Sequence, residues 1–92
     1  MIRSFRHKGL ESFFTTGSKA GIQAAHAARL KRQLAQLDHA TGPQDMNLPG
    51  WKLHPLRGDL SGHWSVWVSG NWRLTFEFAG TDAVAVDYRD YH

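Results

Sequence analysis

The segment from Gly70 to Phe78, Gly-Asn-Trp-Arg-Leu-Thr-Phe-Glu-Phe, constrains the fold more than any other part of this chain. Its large apolar residues recur at every second position, and successive side chains of a β-strand point to opposite faces. The pattern therefore predicts a strand with one apolar face and one polar face. The apolar face consists of Trp72, Leu74, Phe76 and Phe78, and the polar face of Arg73, Thr75 and Glu77. The first face is suited to cover a hydrophobic core, which leaves the second one open.

The length and composition favour a single small domain. A chain of 92 residues buries only about two-thirds of its unfolded surface, so we expect one modest core for residues 1–92. The absence of cysteine excludes disulfide frameworks, thiolate zinc sites and cysteine nucleophiles. No apolar run approaches the roughly 18 residues of a membrane span, and no signal-peptide pattern follows Met1. These features predict a soluble, cytoplasmic protein.

Positive charge is concentrated in the first half of the chain. Residues 1–45 contain seven Lys or Arg and three Asp or Glu, whereas residues 46–92 contain four and five. A basic surface attracts polyanions such as nucleic acids. The same pattern is also typical of an ordinary solvated helix face, so both interpretations stay open.

Two helices are predicted in this basic half. The first covers Lys8 to Thr16 and is followed by Gly17, a frequent residue just after a helix end. The second carries apolar residues spaced three, four and three apart, which is the spacing of one helix face. Its stripe consists of Ala27, Leu30, Leu34 and Leu37, with Ala20 and Ala24 extending it.

Strand patterns dominate the second half, after a loop from Thr41 to Gly50. Alternating residues predict strands at 51–54, 63–68 and 83–88 in addition to the strand described above, and residues 2–5 form a weaker candidate. In the last strand we expect the core face to carry Val84, Val86 and Tyr88, and the open face Ala83, Ala85 and Asp87. Early helices and a late meander predict an α+β fold, with helices on one face of a mainly antiparallel sheet.

The open face of this sheet would present Arg73 among small residues of the neighbouring strands, so that a hollow forms. An arginine over a hollow suits a phosphate group, because the planar guanidinium offers paired donors. The alternative is a cross-strand ion pair with Glu77 or Asp87, which is the more common arrangement. Trp67 is predicted on the same face and is the tryptophan expected to contact RNA.

The chain ends with Asp90-Tyr-His92 directly after the last predicted strand. With His54 and Arg57, this tail could converge near Arg73 and assemble the groups for acid–base cleavage of RNA. In that reaction the ribose 2′-hydroxyl attacks phosphorus, a base takes its proton, and an acid protonates the leaving 5′-oxygen. No metal is needed, and the six histidines show no close ligand spacing. The alternative interpretation of the tail is a frayed terminus.

Several segments of the chain together resemble the HigB toxins of bacterial toxin–antitoxin systems, which belong to the RelE superfamily of small endoribonucleases. The resemblance runs from the first residue to the last, and the helical region is its least distinctive part. It implies a RelE-like fold with a curved sheet of about four or five strands. The segments that carry it are Met1-Ile-Arg-Ser-Phe5, Lys52-Leu-His-Pro-Leu56 with Gly58-Asp59, Gly62-His-Trp-Ser65, Asn71-Trp-Arg-Leu-Thr-Phe76 and Asp90-Tyr-His92.

The resemblance also implies an activity and partners. It implies cleavage of mRNA in the ribosomal A site without a cofactor, and a HigA-type helix-turn-helix antitoxin that mediates any contact with operator DNA. Two other classes stay open: a non-catalytic RNA- or ribosome-binding module, and a regulatory subunit that tunes operator binding by the antitoxin.

The resemblance finally implies roles for individual residues. His54 and His92 become the acid–base candidates, Asp90 assists them, and Arg73 holds the scissile phosphate. Arg57 stands where relatives often have lysine, and Tyr91 would position a nucleotide. The charge asymmetry adds the expectation that basic residues of the second helix meet ribosomal RNA, namely Arg29, Lys31 and Arg32.

Overall fold

The fold places two helices against one face of a four-stranded antiparallel sheet. A computed structural model describes residues 1–91, and His92 lies outside the described residues. The strands are ordered β1-β2-β3-β4, and each pairs antiparallel with the next. This arrangement confirms the predicted α+β fold. The elements are α1 (Lys8–Thr16), α2 (Ala27–His39), β1 (His54–Pro55), β2 (Trp64–Ser69), β3 (Trp72–Ala79) and β4 (Asp82–Asp90).

Helix α1 begins and ends where the sequence predicts. The Leu10 backbone N–H donates to Nδ1 of His7 over 2.9 Å, so a histidine caps the first turn. Gly17 ends the helix with φ at 81°, a left-handed conformation that glycine adopts without strain. Leu10 and Phe13 are buried and direct this helix toward the core.

Helix α2 begins later than the apolar stripe suggests. Its leucines are buried, but Ala20 and Ala24 are exposed and precede the helix, so the prediction that they extend the stripe is wrong. The reason is a close crossing of the chain over α1: a Cβ on Gly21 would lie 2.5 Å from Cα of Gly9. This backbone contact holds the connector against α1.

No helix described in residues 1–91 is long and apolar enough to cross a membrane.

The hairpin of β2 and β3 forms as the sequence predicts. It turns at Gly70 and Asn71, and residues of both strands enter the core. Val66, Leu74 and Phe76 are fully buried, where they join the leucines of α2. At about 1.5–3 kcal/mol for each large apolar side chain, this burial is a main source of stability.

Strand β4 differs from its predicted pattern because it contains a β-bulge. Thr75 pairs with Asp87, but Glu77 pairs with Val84, so β4 has one extra residue between these pairs. Ala85 lies in the bulge and has a left-handed backbone conformation, with φ at 54°. Beyond the bulge, the alternation of side chains between the two faces is shifted by one residue. Ala83 is therefore fully buried, whereas Val84 lies opposite Glu77. The predictions that Val84 faces the core and Ala83 the open face are wrong.

Two predicted strands are shorter than expected. Residues 2–5 make two isolated parallel bridges to β4, Ile2 with Ala83 and Phe5 with Val86, and no continuous strand. In the segment 51–54 strand pairing begins at His54 and extends to Pro55. Trp51 instead fills the core with 4% of its surface exposed.

An aromatic cluster connects the start of α2 to the end of β4. The ring of Trp72 stacks on that of Tyr88 with centroids 4.4 Å apart, and the Tyr88 hydroxyl is hydrogen-bonded to Nδ1 of His26. Burial raises the pKa of Tyr88, and the nearby carboxylate of Asp90 raises it further. The cluster anchors β4 just before the chain reaches Asp90.

Substitution of Ala85 by valine tests the bulge. The left-handed region disfavours a β-branched residue, so Ala85→Val should lower the free energy of unfolding by about 1–2 kcal/mol. The matched control is Ala79→Val, at an exposed strand position without positive φ, which should change it little. Urea denaturation measures both, and equal effects would argue against a strained backbone at Ala85.

The raised pKa of Tyr88 predicts a pH dependence of stability. A tyrosine that stays neutral longer in the folded state stabilises it fully below the ordinary value of 10.0, and this contribution is lost as pH rises through the folded pKa. Tyr88→Phe should therefore flatten the alkaline decline in the free energy of unfolding. Urea denaturation between about pH 8 and 11 measures the slope. An unchanged slope in the variant would contradict the assignment.

Candidate active site

Two surface cavities differ in the chemistry of their walls. One of about 530 Å³ lies between the two helices, where Phe13, Phe14 and Leu34 line it together with alanines and two lysines. The other, of about 370 Å³, lies on the opposite face of the sheet. Because it contains a histidine, an arginine and a tyrosine, the second cavity is the candidate active site. Its lining is Lys52, Leu53, His54, Leu56, Ser65, Arg73 and Tyr91.

Strand register explains why these side chains meet. His54 of β1 pairs with Ser65 of β2, and Ser65 pairs with Thr75 of β3, so all three share one face. Ser65 and Thr75 are small and buried, with 4% and 1% of their surfaces exposed. They leave room beside Arg73 for a ligand, while His54 stays exposed at the edge.

Arg73 is oriented by the backbone and not by a carboxylate. Its Nη1 donates to the carbonyl oxygens of Gly70 over 3.0 Å and Trp72 over 3.1 Å. Of the five guanidinium N–H groups, about three then remain for another acceptor. Within residues 1–91, Glu77 pairs with His63 and Asp87 with Arg89, so neither forms the predicted alternative ion pair with Arg73.

Lys52 is a cavity residue that sequence analysis did not single out. Its φ is 52°, in the left-handed region where non-glycine residues are uncommon and strained by roughly 1–3 kcal/mol. Its ammonium lies 4.7 Å from the centroid of the Trp67 ring. Lys52 is the first residue of the Lys52-to-Leu56 motif, and this position could have identified it as a site residue.

Trp67 lies beside the cavity and not in its lining. Its Nε1 donates to the carbonyl oxygen of Gly70 over 2.9 Å, which fixes the indole. The guanidinium carbon of Arg29 lies 5.3 Å from the ring centroid, so two cations, this one and Lys52, contact one indole. The indole ring is therefore in contact with two cationic side chains of the protein itself.

The C-terminal residues separate onto two faces. Tyr91 lines the cavity, its N–H donates to the carbonyl of Asn71 over 2.8 Å, and its buried hydroxyl has no partner within residues 1–91. Arg89 pairs across the sheet with Arg73, on the cavity side, whereas Asp90 pairs with Trp72 on the helix side. No pattern in the sequence singled out Arg89, and His92, for which a catalytic role is predicted, lies outside the described residues.

Arg57, another predicted site residue, lies outside the cavity lining, and so does His63, for which the sequence predicted no role in the site. Arg57 is exposed and directly precedes a single 3₁₀ turn, Gly58–Leu60. His63 is 7% exposed and its Nε2 lies 3.5 Å from Oε2 of Glu77. In the part of the chain that the structure describes, no three His, Cys, Asp or Glu side chains converge as metal ligands would.

The arrangement suits a phosphodiester better than a neutral substrate. Arg73 and Lys52 supply positive charge, and the oriented guanidinium can donate to phosphate oxygens. His54 is exposed at the cavity edge, and an imidazole side chain is the most frequent general acid or base in enzymes. The cavity thus combines two cationic side chains, Lys52 and Arg73, with the imidazole of His54.

Comparison with known proteins gives one consistent result. Residues 3–92 match the family described as RelE-like toxin of type II toxin-antitoxin system HigB. A Proteus vulgaris protein named Endoribonuclease HigB is 45% identical over 92 residues, which cover all of both chains. The Toxin HigB-1 of Vibrio cholerae serotype O1 is 33% identical over 95 residues, covering all of this chain and 98% of the relative.

Proposed function

This chain belongs to the HigB-like family of RelE-like toxins of type II toxin–antitoxin systems, and we propose that it is an endoribonuclease that cleaves mRNA in the ribosomal A site and so inhibits translation. Its family implies an antitoxin partner. The observation that carries the proposal is that His54, Arg73 and Tyr91 line one cavity. The full-length similarity to a relative named as an endoribonuclease supports the same activity.

The proposed reaction is a transesterification within the RNA. A base removes the proton of the ribose 2′-hydroxyl, the new O2′–P bond forms, and the P–O5′ bond breaks. An acid protonates the departing 5′-oxygen, so the products are a 2′,3′-cyclic phosphate and a 5′-hydroxyl. His54 and His92 supply the base and the acid, in either order. The nucleophile belongs to the substrate, so the mechanism requires no cofactor.

Arg73 is the proposed phosphate-binding residue of this reaction. The carbonyls of Gly70 and Trp72 hold its guanidinium in place before substrate arrives, and they leave its charge unneutralised. A preoriented donor of this kind stabilises developing charge on the phosphorane at little reorganisation cost. Arg57 supplies a further cation at the exposed edge.

Tyr91 and Asp90 have different proposed roles. The ring of Tyr91 lines the cavity and would position a nucleotide by stacking. Asp90 pairs with Trp72 on the other face, so we assign it an indirect role, in which it orients His92. The assignment of Tyr91 and Asp90 to opposite faces follows the alternation of side chains along β4 and the residue after it.

The ribosome and the antitoxin are the proposed partners. The ribosome would hold mRNA and toxin together and supply orientation that a small protein of net charge +3 lacks. Of the basic residues of α2, the exposed Lys31 and Arg32 would meet ribosomal RNA phosphates, whereas Arg29 is half-buried against the Trp67 ring. The proposed antitoxin is a HigA-type helix-turn-helix protein, and operator DNA would be contacted only through the toxin–antitoxin complex.

Cleavage of a defined mRNA with and without programmed 70S ribosomes tests the activity. We expect cuts by the unaltered protein only when ribosomes are present. His92→Gln should lower the rate by about 10²–10⁴ and leave ribosome binding unchanged, because it removes one proton transfer. Ribosome binding without any cut by the unaltered protein would favour the non-catalytic binding module instead.

Two substitutions of Arg73 separate charge from geometry. Arg73→Lys keeps the charge but loses the planar fork and its two backbone contacts, so kcat should fall by about 10²–10³, and Arg73→Gln should lower it further. Lys8→Gln, an exposed site on α1, is the charge-matched control for Arg73→Gln and should keep its activity. Single-turnover cleavage on ribosomes gives these rates. An Arg73→Lys variant with unaltered kcat would contradict the proposed role.

A further inference from the structure

A row of paired residues crosses the sheet at the edge of the candidate active site. Trp67 of β2 pairs with Arg73 of β3, and Arg73 pairs with Arg89 of β4. Residues that face each other in antiparallel strands direct their side chains to the same face. Since neighbouring strands lie about 4.8 Å apart, these three side chains form a line perpendicular to the strands.

One carbonyl group connects two members of this line. The oxygen of Gly70, in the turn between β2 and β3, accepts a hydrogen bond from Nε1 of Trp67 at 2.9 Å and from Nη1 of Arg73 at 3.0 Å. A single backbone acceptor thus holds the indole and the guanidinium side by side. The hairpin turn thus fixes Trp67 and Arg73 relative to each other.

The Trp67 end of the line gathers two more cations. Arg29 reaches the indole from α2, at 5.3 Å from the ring centroid, and Lys52 reaches it from the segment before β1, at 4.7 Å. No carboxylate within residues 1–91 pairs with either of them. Both cations can therefore pair with a phosphate group.

At the other end of the line two arginines lie beside a single carboxylate. Arg73 and Arg89 are directly opposite, a placement that is destabilising for like charges in a sheet. Asp87 compensates Arg89 over a long contact of 3.7 Å. The guanidinium carbon of Arg89 lies 5.7 Å from the ring centroid of Tyr91, which lines the cavity. Arg89 is therefore adjacent to the site but formed no part of its sequence-based prediction.

We propose that these four cations form a cationic row, Arg29, Lys52, Arg73 and Arg89, that binds the phosphates of a single RNA strand running across the β-strands. The row rests on the proposed function in one respect, that the scissile phosphate lies at Arg73. Phosphates on one side of it contact Arg29 and Lys52, and those on the other side contact Arg89. Trp67 acts as a positioning residue that holds the cations.

The geometry favours a single strand over other polyanions. The row includes the indole of Trp67, which contacts Arg29 and Lys52, and the ring of Tyr91 lies 5.7 Å from the guanidinium carbon of Arg89. Sites for single-stranded nucleic acid commonly combine a narrow cationic groove with aromatic side chains. Such contacts to the backbone bind RNA without regard to base sequence.

Binding of a non-cleavable RNA tests the row without relying on catalysis. The probe is a single-stranded oligonucleotide whose nucleotide at the cut carries no 2′-hydroxyl, and fluorescence anisotropy gives its affinity over a range of salt concentrations. Arg29→Gln and Arg89→Gln should each weaken binding and reduce the slope of log K against log [salt] by about 0.7, the value for one phosphate contact in a single strand. Arg89→Lys should restore the slope.

The matched control is Lys19→Gln, which makes the same charge change. Lys19 is exposed in the connector between α1 and α2, on the helix side of the sheet. The Lys19→Gln substitution should leave the slope of log K against log [salt] unaltered. Far-UV circular dichroism and urea unfolding verify that each variant is folded.

Truncated mRNAs on programmed ribosomes test the direction of the strand. With full-length mRNA, Arg29→Gln and Arg89→Gln should raise KM with little change in kcat, because backbone contacts hold substrate and transition state equally. An mRNA that ends just past the cut should abolish the effect of one variant and retain that of the other. If truncation alters neither effect, the contacted phosphates belong to ribosomal RNA and the proposed strand path is wrong.

The outcomes separate this inference from the proposed function. If Arg73→Gln lowers the salt slope but Arg29→Gln and Arg89→Gln do not, the cationic row is overturned and the active site stands. If the unaltered protein never cuts mRNA but the row variants bind the oligonucleotide more weakly, the row stands and the endoribonuclease proposal is overturned.

Discussion

The pairing of β3 with its two neighbours is the interaction on which the rest of the structure depends. The register that buries Leu74 opposite Tyr88 on the core face also sets Arg73 between Trp67 and Arg89 on the other face. A slip of one residue would exchange the two faces, exposing the core and burying the arginine. The stability of the core and the geometry of the candidate site therefore have the same physical origin.

The site concentrates positive charge that the described protein does not neutralise. Arg73 is held by carbonyl oxygens of Gly70 and Trp72, which orient the guanidinium and leave its full charge available to a phosphate. Lys52 adopts a left-handed backbone conformation, which stores strain beside the cavity. Buried leucines and aromatic residues elsewhere offset these unfavourable terms.

An aromatic cluster links the helices to the end of the chain that is proposed to act in catalysis. Trp72 stacks on Tyr88, and His26, just before α2, contacts both rings. Tyr88 lies two residues before Asp90, so the cluster fixes the strand from which Tyr91 enters the cavity. Packing on the helix side thereby positions residues on the opposite face of the sheet.

Local patterns in the sequence determined the elements that depend on periodicity: the two faces of β3, the leucines of α2 and the end of α1 at Gly17. The motif residues also pointed to His54, Arg73 and Tyr91, which meet in one cavity. Only the tertiary structure decided which face of the sheet each residue of β4 occupies, because the bulge at Ala85 exchanges the faces expected for Ala83 and Val84. It also decided that Arg89 and Lys52 lie at the site. These depend on cross-strand register and on left-handed backbone conformations at non-glycine residues, which alternation along one strand does not encode.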